Sequence, residues 1–101
     1  MEERLRLIEH FKTKCSMAIK EAERVADMNN KLVDNMRVRN VVFEFKKIDG
    51  TIRKAHGTLR EEYLSEIKGS GRPLNFDLQL YYDLEKKSFR SFKKENLISY
   101  D

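Results

Sequence analysis

Apolar residues recur along the first third of the chain at the interval of an α-helix. Leu5, Ile8, Phe11, Cys15, Ala18, Ile19, Ala22, Val25, Ala26, Leu32, Val33 and Met36 share one face at a helical period, and no Gly or Pro interrupts the run. Glu9, Lys20, Glu23, Arg24, Asp27, Lys31 and Asp34 take the other side. The pattern predicts helix over residues 3–34. A heptad also fits, through Ile8, Phe11, Cys15, Ala18, Ala22, Val25, Asn29, Leu32 and Met36, with Asn29 as a polar core residue of the kind that sets register in coiled coils. Ile19, Ala26 and Val33 widen the stripe beyond a two-position seam, which favours packing on a globular body.

Length then becomes a problem. About 31 helical residues span roughly 46 Å, whereas the rest of the chain makes a body under about 30 Å across. The helix is expected either to break near Asp27-Met28-Asn29-Asn30 or to lay its excess on another copy or a protein partner, since an exposed apolar stripe invites association.

Beyond residue 38 the period changes to two. Val41, Phe43 and Phe45 alternate with Val42, Glu44 and Lys46, and Ile48-Asp49-Gly50-Thr51 supplies a hairpin turn. A two-residue turn would set Phe43 beside His56 and Phe45 beside Lys54. A type I turn with Gly50 as a left-handed bulge instead faces Phe43 with Ala55, Val41 with Gly57 and Glu44 with Lys54. This register keeps core with core and is the one expected. Residues 60–68 suit a short helix or turn, and Gly69-Ser70-Gly71-Arg72-Pro73 a loop. Residues 76–83 form a half-buried strand with Phe76, Leu78, Leu80 and Tyr82 on one face and Asp77, Gln79, Tyr81 and Asp83 on the other; Tyr82 is expected in the core. Phe89–Lys93 and Leu97–Tyr100 are the last two strands. The expected fold is α+β: one long helix or two over 1–36, then a small, closed or nearly closed antiparallel β-barrel of about five strands over 37–101, which the resemblance given below implies to be SH3/Sm-like.

Composition narrows the class. The chain has 101 residues, 40% of them hydrophobic and 38% charged, which allows one domain with a real core. No apolar run reaches the ~20 residues that span a bilayer, Met1-Glu2-Glu3-Arg4 lacks a signal core, and a single Cys15 suits a reducing compartment. A cytoplasmic protein is expected. The net charge of +4 lies wholly within residues 37–101, because residues 1–36 hold seven bases and seven acids.

No catalytic constellation stands out. His10 and His56 lie on different elements, the single cysteine is not expected to join a zinc site, and no phosphate-binding glycine loop is present. Neither enzymatic activity, a cofactor nor a metal is expected. The remaining lead is a basic hairpin: Lys86, Lys87, Arg90, Lys93 and Lys94, with Tyr81, Tyr82 and Phe89 nearby. Cations track phosphates while rings stack on bases, so this surface suits RNA, single-stranded DNA or a nucleotide-like anion. Lys86, Lys87, Arg90, Lys93, Lys94 and Tyr81 are the candidate binding residues.

Phe43-Glu44-Phe45-Lys46-Lys47-Ile48-Asp49-Gly50-Thr51-Ile52-Arg53, Gly57-Thr58-Leu59 and Tyr82-Asp83-Leu84-Glu85-Lys86-Lys87-Ser88-Phe89-Arg90-Ser91-Phe92-Lys93 resemble the WYL-type, Sm-like SH3 β-barrel family of small bacterial and phage proteins over about residues 39–99. The broader WYL domains carry an aromatic-Arg-x-Phe segment followed by a second Arg. Arg90 and Phe92 match the first two elements, and Asn96 replaces the second Arg. The resemblance implies a regulatory module that senses nucleic acid or nucleotides. A protein-interaction module, using residues 5–36 for homodimerisation or partner docking, is the alternative expectation.

Overall fold

The computed structural model describes residues 2–64 and 76–101. The expected 69–73 loop, and the end of the helix or turn expected over 60–68, lie outside the described residues. Two helices come first, α1 (Glu2–Lys14) and α2 (Ile19–Met36). They are followed by β1 (Val41–Lys46), β2 (Ile52–Thr58), the short α3 (Glu61–Leu64), β3 (Leu78–Asp83) and β4 (Ser88–Lys93). A 3-10 turn, Lys94–Asn96, leads into β5 (Leu97–Tyr100). No helix among the described residues is long and apolar enough to cross a membrane.

The long helix does break, but at residues 15–18 and not near Asn29-Asn30. Ser16 takes a left-handed φ of 55°, and the Met17 N–H closes back on the Phe11 carbonyl at 3.0 Å. This reversal satisfies a carbonyl that the helix end would leave open. The run Thr13-Lys14-Cys15-Ser16 is also poor in strong helix formers. Folded here, α1 lies antiparallel on α2. Leu7, Ile8 and Phe11 meet Ala22, Val25 and Ala26 in a core of their own. Arg4 fastens the open end by donating to both carboxylate oxygens of Asp27, at 2.7 and 3.3 Å. The break also resolves the length problem, because α2 alone is about 27 Å long and the whole molecule measures 37 × 28 × 25 Å. Most of the apolar stripe is spent on the chain's own core, with Leu5 (64% exposed) and Ile19 (55%) left outside.

Asn29 sets no coiled-coil register. Its Nδ2 donates to the Val25 carbonyl within α2 and to the Lys94 carbonyl of the 3-10 turn, both at 2.9 Å. The second bond ties α2 to the link between β4 and β5. The C-terminal end of α2 is held as well: the Met36 carbonyl accepts from the Leu59 N–H at 2.8 Å and from Thr58 Oγ1 at 3.2 Å.

The five strands form one antiparallel sheet in the order β4-β3-β2-β1-β5. The β1–β2 register is the expected one, with Val41 opposite Gly57, Phe43 opposite Ala55 and Glu44 opposite Lys54. Gly50 occupies the turn with φ 91°. The sheet curls into a barrel. In a flat sheet three strand spacings would place β4 about 14 Å from β1, yet the Phe92 ring stacks on Phe45 with centroids 5.2 Å apart. Phe43, Tyr81, Val41, Ala55 and Leu97 fill the interior, and Leu32 and Met36 of α2 plug its helical end. The 36/37 division therefore follows the end of α2, while packing crosses it.

Strand β3 corrects the expected phase. Its buried residues are Tyr81 and Asp83, each 0% exposed, while Leu78, Leu80 and Tyr82 are half-buried on the other face. Asp83 can face inward because every demand of its carboxylate is met: Arg53 donates to Oδ2, and the Glu85 and Lys86 N–H groups donate to Oδ1 at 2.9 and 3.0 Å. Tyr82, expected in the core, packs outside between Tyr63 and Phe89, with ring centroids 4.9 and 5.1 Å away.

Candidate functional site

At the end of the barrel where the β1–β2 turn approaches β4 lies an open cavity of about 600 Å³. Its apolar wall is the stacked pair Phe45 and Phe92, with Leu78 and Ile48. Five cations surround it: Lys46 from the end of β1 and Lys47 just beyond it, Arg53 from β2, and Arg90 and Lys93 from β4. One carboxylate, Asp49, joins the lining, and it is engaged by the N–H and hydroxyl of Thr51 at 3.0 and 2.7 Å.

These cations differ in how free they are. Arg53 is neutralised by the ion pair with Asp83. Arg90, Lys46, Lys47 and Lys93 form no side-chain hydrogen bond or ion pair among the described residues. Tyr81 reaches the cavity from the core, and its hydroxyl is buried without a hydrogen-bond partner. Burial pushes its phenol above the ordinary value, Asp83 adds to that, and Arg53 and Arg90 oppose it. A neutral donor thus stands beside an uncommitted guanidinium and two aromatic rings.

The candidate residues divide three ways. Tyr81, Arg90 and Lys93 line the cavity together. Lys86 and Lys87 belong to the exposed β3–β4 turn, where Lys87 takes a left-handed φ of 52°, and they do not line it. Lys94 turns toward the helices, its Nζ 4.6 Å from the centroid of Phe76. Sequence reasoning missed Lys46, Lys47 and above all Arg53. The signal for Arg53 was present: it shares a strand face with Ala55 and Gly57, so a cation stood on an inward face of small residues. Asn96, at the position where the resemblance implied a second Arg, also lines the cavity.

A family model described as WYL_2, Sm-like SH3 beta-barrel fold, matches residues 29–98. The chain belongs to that family. The WYL_2 match takes in β1 to β4 and the start of β5, every residue lining the cavity and the last two turns of α2. It leaves out α1 and the first half of α2. Neither a curated protein nor a solved structure matches the chain.

A second gathering of polar side chains sits outside the cavity. His10 of α1, Cys15 of the interhelical turn and Glu95 of the 3-10 turn each place a donor atom within 4.8 Å of the other two. The sequence reading had kept His10 and Cys15 out of any site. Burial first, then the neighbouring Glu95 carboxylate and its hydrogen bond, push the Cys15 thiol up from its ordinary value. That is the reverse of what an activated cysteine nucleophile needs.

Proposed function

We propose that this WYL_2 protein is a non-enzymatic regulatory or accessory module of the cytoplasm that binds a phosphorylated nucleoside unit, either free or within a single strand of nucleic acid. One observation carries this reading: Tyr81, whose hydroxyl is buried and partnerless, is among the residues that line a cavity with the uncommitted Arg90 and the Phe45–Phe92 rings. A buried hydroxyl without a partner is costly, and a ligand acceptor would relieve that cost. Arg90 offers a planar fork for phosphate oxygens, and the aromatic wall suits the face of a base. Lys46, Lys47 and Lys93 add the sequence-independent attraction that draws in an anion.

Fluorescence anisotropy with single-stranded RNA and DNA oligomers, alongside calorimetry with mononucleotides, tests the reading and separates the two sources of the ligand. Arg90→Ala with Lys93→Ala should weaken binding by at least about tenfold, the scale of one lost hydrogen bond to a charged group. Tyr81→Phe should weaken it less, and affinity should fall steeply with salt. Replacing Lys86 and Lys87 by Ala should change little. Absence of binding to all of these probes at low salt would overturn the proposal.

A further inference from the structure

The junction between helical hairpin and barrel brings together two donors from the end of α1 and its turn with a third from about 80 residues further along the chain. One donor atom each of His10, Cys15 and Glu95 lies within 4.8 Å of the other two. Two of the three residues carry stranded atoms. His10 Nε2 and Glu95 Oε1 are both shielded from solvent and lack any hydrogen-bond partner. Buried polar atoms are normally satisfied, so two orphans in one cluster call for something between them.

The backbone around the cluster is well anchored. Glu95 is held by the 3-10 turn, whose Lys94 carbonyl accepts from Asn29 and whose Lys94 N–H donates to the Asp77 carbonyl at 2.9 Å. Cys15 is placed by the left-handed Ser16 and the bond from Met17 to Phe11. The His10 ring lies against Phe11 and Phe76, with centroids 5.8 and 5.9 Å away.

We propose that His10, Cys15 and Glu95 form a zinc(II) site that staples the helical hairpin to the barrel and leaves one coordination position open. An imidazole nitrogen, a thiolate and a carboxylate oxygen are the donor types zinc takes, whereas calcium and magnesium call for oxygen alone. Zinc–ligand bonds of about 2.0–2.3 Å in a tetrahedron put donor atoms about 3.3–3.6 Å apart. Closing from 4.8 Å asks for a shift of roughly an ångström, within reach of side-chain torsions on three partly exposed residues. Charge balances too. The Cys15 thiol gives its proton to solvent on binding, so thiolate and carboxylate together cancel the two positive charges of the ion.

The test uses the full chain, reduced and freed of metal. Zinc is titrated against a chromogenic chelator, and cobalt(II) serves as a spectroscopic probe. One zinc per chain, a rise in Tm, and a thiolate-to-cobalt charge-transfer band are expected. Cys15→Ser should abolish the band, and it should weaken zinc by at least the 10–100-fold typical of even outer-shell changes at zinc sites. Glu95→Gln should weaken zinc while keeping the band, and it carries the test alone if Cys15→Ser proves unfolded by circular dichroism. Absence of a band in the wild-type protein would overturn the proposal. So would zinc affinity that is unchanged in folded Cys15→Ser or in Glu95→Gln.

Discussion

The two cores of this molecule are built on different plans. The barrel interior is aromatic: Phe43, Phe45, Tyr81 and Phe92 contact one another across strands, and two α2 side chains close one end. The helical hairpin packs Leu7, Ile8 and Phe11 on Ala22, Val25 and Ala26, where alanines let the helices approach. Helix α2 belongs to both cores, α1 to one. A core assembled across five strands and a helix stands or falls as a unit. A core shared by two helices can open by loss of the outer one. The family match, which begins at residue 29, covers the first core and omits most of the second.

The strongest way to break this comparison is to remove one fully buried ring from each side. Phe43→Ala should cost about 3–5 kcal/mol and unfold the whole chain at lower denaturant. Phe11→Ala removes an equally buried ring, but its effect should fall on α1. Amide hydrogen exchange should speed up in residues 2–14 while the strands keep their protection. Sheet protection lost in Phe11→Ala would show that the two cores are one.

A smaller effect is expected at Gly57, where a Cβ would stand 2.8 Å from both the Phe43 and Tyr81 rings. Gly57→Ala should overpack the barrel by about 1–3 kcal/mol in a denaturant titration, and the hairpin has no counterpart to this sensitivity among the described glycines. Next comes the tie between the regions. Asn29→Ala removes its bond to the Lys94 carbonyl, which keeps the Leu97 N–H, and should cost about 1 kcal/mol, with loosened exchange around residues 94–96 as its signature.

The smallest effect is one of pH. Hydrogen bonding from Arg4 holds the Asp27 carboxyl below its ordinary value of 3.8. A carboxylate with a lowered folded-state pKa lends stability above the unfolded pKa and loses it as pH falls through the folded one. The hairpin should therefore weaken in acid, below about pH 4, and Asp27→Asn should blunt that slope. The pair is solvent-exposed, so the change should be slight and salt-sensitive.

Much of the barrel was legible in the sequence, because strand period and turn chemistry are local. Alternation at Val41, Phe43 and Phe45, with a glycine able to take φ 91°, was enough to choose the β1–β2 register. The break in the helix was not legible in that way. Asn29-Asn30 is the better local breaker, but Asn29 stays helical with its Nδ2 donating to a carbonyl 65 residues away. Residues 15–18, with no glycine, turn because their position lets two apolar faces meet. Strand β3 misled for a similar reason. Leu78, Leu80 and Tyr82 are the more hydrophobic set, yet Asp83 goes inside because Arg53, on another strand, is there to meet it. Half of the candidate cluster reached the cavity for the same cause. Tyr81, Arg90 and Lys93 come together through strand pairing, whereas Lys86, Lys87 and Lys94 were neighbours only along the chain.

The seam of the barrel carries one more consequence. Among the described residues no hydrogen-bonded ladder joins β4 to β5; the curl is held instead by rings such as Phe92 on Phe45. Those same two rings wall the cavity. An occupant of that space would press on the contact that keeps the cylinder shut, and its binding and closure would then be thermodynamically linked. An occupant that widens the stack would loosen β4, and one that braces it would lock β4 down. The cavity is also a handle on the shape of the domain.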